Sequence, residues 1–69
     1  MEGSTYKVIE LVGSSMHSWE EAAQNAVVKA NQSLRDIRIV TVKEQDAKVE
    51  DGKIVLYRVR LKLSFKFEE

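Results

Sequence analysis

The clearest pattern in the chain is the alternation of apolar and polar residues between Lys53 and Phe67. From Val55 to Phe67 all odd positions are apolar, and from Arg58 to Lys66 all even positions are polar or charged. A period of two predicts a β-strand with one dry face and one wet or ion-paired face. The odd set is Val55, Tyr57, Val59, Leu61, Leu63, Phe65 and Phe67, and the even set includes Arg58, Arg60, Lys62, Ser64 and Lys66.

Two further segments have the composition of strands. Tyr6 to Val12 is rich in β-branched and apolar residues, and Gly13-Ser14-Ser15 is predicted to end it. Ile37 to Val49 begins β-branched and becomes charged, which is typical of a strand that leaves the core. Asp51-Gly52 then predicts a tight hairpin turn, because a type I′ turn needs positive φ at both central residues.

The segment from Ser18 to Arg35 is predicted to be a helix. Ser18 and Glu21 have the spacing of a capping box, in which the hydroxyl accepts from the amide of residue 21. Apolar residues then recur at the spacing of one buried helix face. This predicted face consists of Trp19, Ala23, Ala26, Val27, Ala30 and Leu34.

The order strand, helix, strand, strand predicts an α+β fold. The last two strands form an antiparallel hairpin, the first strand joins the same sheet, and the helix lies across one face. With no internal repeat, no linker and no proline, residues 1–69 are expected to form a single domain.

The length of the final strand predicts self-association. Its residues span roughly 50 Å at about 3.3 Å each. A compact chain of this size has a radius of gyration near 11 Å, and therefore a diameter of only about 28 Å. Phe65 and Phe67 would lie exposed at the tip, so neighbouring subunits are expected to cover them.

The amino-acid composition argues against several classes of protein and of metal site. Eleven Lys and Arg balance eleven Asp and Glu, which argues against a nucleic-acid module. There is no apolar run long enough to span a membrane and no leader-like start, so a cytoplasmic location is expected. The absence of cysteine excludes disulfides and thiolate metal sites, and a single histidine excludes a multi-histidine site within one chain.

Four segments together resemble the dodecins. They are YKVIELVGSS at the start, SWEEAA and SLRDIR at the two ends of the helix, and YRVRLKLSFKF at the close. The resemblance covers Tyr6 to Phe67. It implies a three-stranded antiparallel sheet partly wrapped around one helix, a hollow dodecamer of identical subunits, and flavin as the ligand.

The resemblance also indicates where the ligand site departs from the flavin-binding pattern. Ile39 stands where those proteins have a tryptophan that stacks on the flavin ring, and Arg58 stands where they have a glutamine that bonds the pyrimidine edge. Ile39 has no π face, and Arg58 can only donate hydrogen bonds. The expected cofactor-binding residues are Ile39, Arg58 and Asp46, and FMN or riboflavin is expected to bind weakly at most.

Charged residues suggest two other sites. The basic even face of the last strand predicts either an ion-pair lattice with Glu44, Asp46 and Glu10 or an anion site. Asp46, Glu50 and Asp51 carry oxygen ligands of the kind that calcium prefers, although one subunit offers too few of them. The alternative to the anion site is a face of structural ion pairs, and the alternative to the calcium site is an ordinary solvated hairpin.

Catalysis is not expected. His17 lies among serines, but Ser18 is committed to the helix cap and no acidic residue is placed by sequence to orient the imidazole. The leading hypothesis is therefore a non-enzymatic, dodecin-like binding and storage protein. The alternative is a shell that has lost flavin and binds cations or anions, or that is purely structural.

Overall fold

The computed structural model describes residues 5–34 and 36–66, which form one sheet and one helix. The elements are β1 (Tyr6–Ser15), α1 (Trp19–Asn31), β2 (Ile37–Glu50) and β3 (Lys53–Lys66). All strand pairs are antiparallel and the strand order is β1-β3-β2, so β3 is central. The predicted α+β fold with β-α-β-β order is confirmed.

The alternation along β3 places its two faces as predicted. Val59, Leu61 and Leu63 are buried, the first two against α1, while Arg60 and Lys62 between them are exposed. The apolar side chains are fully buried only in the middle of the strand, since Val55 near the hairpin is 36% exposed. Phe65 is half-buried, and Phe67 lies outside the described residues.

The first strand continues three residues beyond its predicted end at Val12. Gly13 and Ser15 are paired with β3 and buried, although glycine and serine usually mark a turn. A side-chain carbon at Gly13 would overlap the carbonyl oxygen of Ala22, so the missing side chain is what lets the helix cross the strand. The residues that suggested a break are instead those that permit close packing.

The helix begins as predicted but ends earlier, and its buried face shares Ala26 and Ala30 with the predicted one but is turned toward Ala22. Ser18 caps it, with its hydroxyl accepting from the Glu21 amide at 2.9 Å. The helix ends at Asn31, and the Gln32 amide donates to the carbonyl of Lys29 at 3.2 Å. Its buried residues are Ala22, Ala26 and Ala30, whereas Trp19, Ala23, Val27 and Leu34 of the predicted face are only partly buried.

The molecule is elongated, as the length of β3 predicted. The radius of gyration is 14.4 Å and the extents are 57 × 20 × 13 Å. A 13-residue helix covers only about 20 Å of these strands. The apolar residues Ile39, Val42, Val49 and Ile54 on β2 and β3 are therefore each about half exposed.

No helix among residues 5–34 and 36–66 has both the length and the apolar character required to cross a membrane.

Candidate functional site

Asp46 and Arg58 form a two-pronged ion pair across the hairpin. The two residues are directly opposite each other in the β2–β3 register. The Arg58 Nε donates to Asp46 Oδ1 and its Nη2 donates to Oδ2, both at 2.8 Å. Parallel charge-assisted bonds of this kind fix orientation more strictly than a single contact.

A second ion pair lies one step along the same face. Arg60 Nε donates to Glu44 Oε1 at 3.1 Å, and Lys62 faces Glu10 across the β1–β3 register. Arg58 and Arg60 are thus paired with Asp46 and Glu44, two of the three acidic residues that the sequence predicted for this face. Both pairs are about half exposed, so each adds little to stability.

The pair changes the acidity of both partners. The hydrogen bonds from Arg58 lower the pKa of Asp46 below its ordinary value, and the same bonds raise the pKa of Arg58. Asp46 is ionised at neutral pH, and its lowered pKa extends the ion pair to more acidic pH. It is lost only when acid protonates Asp46 below its ordinary pKa.

Trp19 ties the start of the helix to the strand that carries Asp46. Its indole Nε1 donates to the backbone carbonyl of Asp46 at 2.9 Å. Its ring meets Tyr57 edge to face, with centroids 4.9 Å apart and planes at 81°. The sequence predicted Trp19 as a core anchor, and it does pack against the core cluster. Its hydrogen bond to β2 had no signal in the sequence.

Ile39 and Arg58 do not come together within one chain. Ile39 is opposite Ser64 and Arg58 is opposite Asp46, so six residues of β3 separate the two positions. That spacing corresponds to roughly 20 Å along the strand. Ile39 is 59% exposed, and β2 contains no aromatic residue that could stack on a ring. The two residues therefore lie too far apart along the strands to line one compact pocket of a single chain.

The acidic residues near the hairpin do not converge either. Within residues 5–34 and 36–66, no three His, Cys, Asp or Glu side chains are close enough to hold a metal ion. Asp46 is paired with Arg58, Glu50 lies 3.5 Å from Lys48, and Asp51 occupies the turn with φ of 52°. A single subunit therefore does not form a calcium site from Asp46, Glu50 and Asp51.

The serine-rich loop has a structural role. The Ser15 hydroxyl donates to a Glu21 carboxylate oxygen at 2.9 Å and accepts from the amide of His17 at 2.9 Å. Ser18 is the helix cap, as predicted. These hydroxyls hold the turn between β1 and α1 in place.

A surface cavity of about 390 Å³ lies beside the Asp46–Arg58 pair. Its volume is within the range of about 300–1,000 Å³ that small-molecule sites have. The residues around it are Asp46, Ala47, Lys48, Leu56 and Arg58. A smaller cavity of about 70 Å³ lies on the other side of the pair, so Asp46 and Arg58 form the wall between two concave surfaces.

The fold is that of a small α+β protein with one helix across a three-stranded antiparallel sheet. The Dodecin family model matches residues 5–68. The chain belongs to the dodecin family.

Relatives and solved structures agree with this assignment. The calcium dodecin of Mycobacterium tuberculosis is 48% identical over 63 residues, which is 91% of this chain and 89% of that protein. The dodecin of Thermus thermophilus is 36% identical over 67 residues, or 97% of each chain. The structure of dodecin from Streptomyces coelicolor superposes with a TM-score of 0.93 at 39% identity, covering 100% of this chain and 99% of that one.

Proposed function

We propose that the protein is a non-enzymatic binding and storage protein that works in the cytoplasm as a hollow homododecamer. All 69 residues act as one domain, and the ligand lies between subunits near Ile39 and Arg58. The observation that carries this proposal is the separation of these two residues on half-exposed faces of one elongated chain. Only association brings such positions together, and family membership supports it.

The proposed ligand is a flavin, either FMN or riboflavin, held weakly. Exposed apolar side chains such as Ile39 offer area to an isoalloxazine ring but no stacking partner. Aromatic stacking is worth about 0.5–1.5 kcal/mol beyond buried area, and that contribution is absent here. Arg58 donates to Asp46, which leaves it poorly suited to bond both donors and acceptors of the pyrimidine edge.

Replacing Ile39 with tryptophan should strengthen flavin binding about tenfold. Two rings that sandwich the ligand would supply the missing stacking, and roughly 1.4 kcal/mol corresponds to a factor of ten. Riboflavin fluorescence should be quenched weakly by the native protein at micromolar concentration and strongly by Ile39→Trp.

Val40→Trp is the matched control, since it adds the same ring to the neighbouring position on the other face of β2. It should not increase quenching. Native mass spectra of all three proteins should show a dodecamer, so that lost quenching is not confused with lost assembly. Unchanged emission with both the native protein and Ile39→Trp would reject flavin as the ligand.

Calcium is the second candidate ligand. It is favoured by the relative at 48% identity, which is named a calcium dodecin, and by the carboxylates Asp46, Glu50 and Asp51 at the hairpin end. Because one chain does not gather three of them, the proposed site needs ligands from several subunits. Hard oxygen ligands of this type suit calcium.

Calcium should raise the melting temperature by several degrees if it binds the folded assembly. A ligand at about one hundred times its Kd stabilises the folded state by about 2.7 kcal/mol. Melting should be followed in EGTA, in calcium and in magnesium, with Glu50→Gln/Asp51→Asn as the variant that removes the shift. Equal melting temperatures in EGTA and calcium would exclude this ligand.

A further inference from the structure

Two cationic side chains line the larger cavity, and each of them is paired with a carboxylate. Arg58 and Lys48 both line it. Arg58 is held by Asp46, and Lys48 lies 3.5 Å from Glu50. Two carboxylates therefore offset the two cations, although only Asp46 of the two lines the cavity itself.

The two ion pairs differ in how many hydrogen-bond donors of the cation are bound by the carboxylate. Asp46 takes both Nε and Nη2 of Arg58 at 2.8 Å, which is one of the donor edges through which a guanidinium holds a phosphate in two-pronged fashion. The Lys48–Glu50 contact is longer and both side chains are about 60% exposed. Asp46 is consequently the residue that competes directly with any phosphate group in this cavity.

Asp46 is also held in place from the backbone side. Its carbonyl oxygen accepts from the Trp19 indole, and its Cα is opposite that of Arg58 in the register. The carboxylate is thus a fixed part of the cavity wall. It is charged at neutral pH, as an aspartate ordinarily is, and Arg58 lowers its pKa further.

We infer that Asp46 determines the class of ligand: by holding the guanidinium of Arg58 it excludes phosphate-bearing ligands from the cavity and favours uncharged ones. This inference rests on the proposed function and deepens it, since riboflavin should then bind better than FMN. Asp46→Asn keeps the shape of the side chain but removes its charge, which frees Arg58 to bind a phosphate.

Inorganic phosphate is the probe that tests the charge effect without a flavin ring. By isothermal titration at constant ionic strength, Asp46→Asn should bind phosphate at least about tenfold more tightly than the native protein, as expected for hydrogen bonds between charged groups. Asp46→Asn/Arg58→Gln should lose that gain. The Trp19 emission spectrum should stay unchanged, because its hydrogen bond is to the backbone of residue 46.

Glu44→Gln is the matched control. It makes the same change in charge and frees Arg60 one step along the strand, but it does not line the larger cavity. An equal gain in phosphate affinity with Glu44→Gln would overturn the inference, because the effect would then be one of net charge. So would the absence of any gain with Asp46→Asn.

A parallel titration with riboflavin and FMN separates this inference from the proposed function. Asp46→Asn should shift the preference toward FMN by about tenfold. If riboflavin binds but this preference does not move, Asp46 does not select the ligand and the storage function stands. If no flavin binds to any variant, the flavin function fails, and the phosphate titration still decides whether Asp46 excludes anions.

Discussion

Gly13→Ala should destabilise the folded protein by about 3 kcal/mol or more, at the upper end of the cost of overpacking a core. A methyl group built at this position overlaps the carbonyl oxygen of Ala22 and lies 2.9 Å from the Cβ of Ala26. Neither obstacle can rotate away, because one is backbone and the other is the first carbon of a buried side chain. The helix would have to lift from β1. Equilibrium unfolding in denaturant, followed by Trp19 fluorescence at fixed protein concentration, measures the loss.

Gly52→Ala is the control for the general effect of replacing a glycine. Gly52 has φ of 76° in the hairpin turn, but a methyl group there meets no atom within 4 Å. The cost should be only the strain of a left-handed residue, about 1–2 kcal/mol. If Gly13→Ala cost no more than Gly52→Ala, the close approach of α1 to β1 would be wrong.

Leu61→Ala should cost about 2–5 kcal/mol, the range for removing a buried leucine side chain. Leu61 is 0% exposed at the centre of β3 and packs in one cluster with Ala22, Ala26 and Val59. The buried helix residues of this cluster are alanines, and the neighbouring Trp19 is held by its hydrogen bond to the Asp46 carbonyl, so the cavity would be filled poorly. For a domain of 69 residues this is a large share of total stability. Thermal melting by circular dichroism, with denaturant unfolding where a folded baseline remains, measures it.

Met16→Ala provides the comparison at the surface. Methionine is similar in size to leucine, but Met16 is 72% exposed in the loop between β1 and α1. Its loss should change stability by no more than about 0.5 kcal/mol. Similar losses for Leu61→Ala and Met16→Ala would contradict the placement of the core beneath α1.

Features that depend on local pattern were predictable from the sequence. The alternation in β3, the Ser18 cap and the Asp51-Gly52 turn each depend on residues within a few positions of one another. The excess length of β3 also follows from counting residues, and the 57 Å extent of the chain agrees with it.

The candidate site was predictable only in part. The sequence indicated that Arg58 and Arg60 would meet acidic residues, and the register supplies Asp46 and Glu44. The distances, the two-pronged geometry and the cavity beside Arg58 depend on how β2 and β3 align, with bulges that a linear pattern does not contain. The metal and flavin assignments of Asp46 and Ile39 remain proposals that need neighbouring subunits.

What the sequence alone determined is the set of elements, their order and the inability of one chain to cover its last strand. Tertiary structure decided how the helix is turned, since Gly13 admits Ala22 beside the predicted Ala26 and Ala30, while Trp19, Ala23, Val27 and Leu34 stay only partly buried. It also decided that Asp46 holds Arg58. The physical reason is that periodicity and capping act between near neighbours in the chain. Close approach and register act between residues far apart in sequence, where a missing methyl group or a single bulge selects the partner.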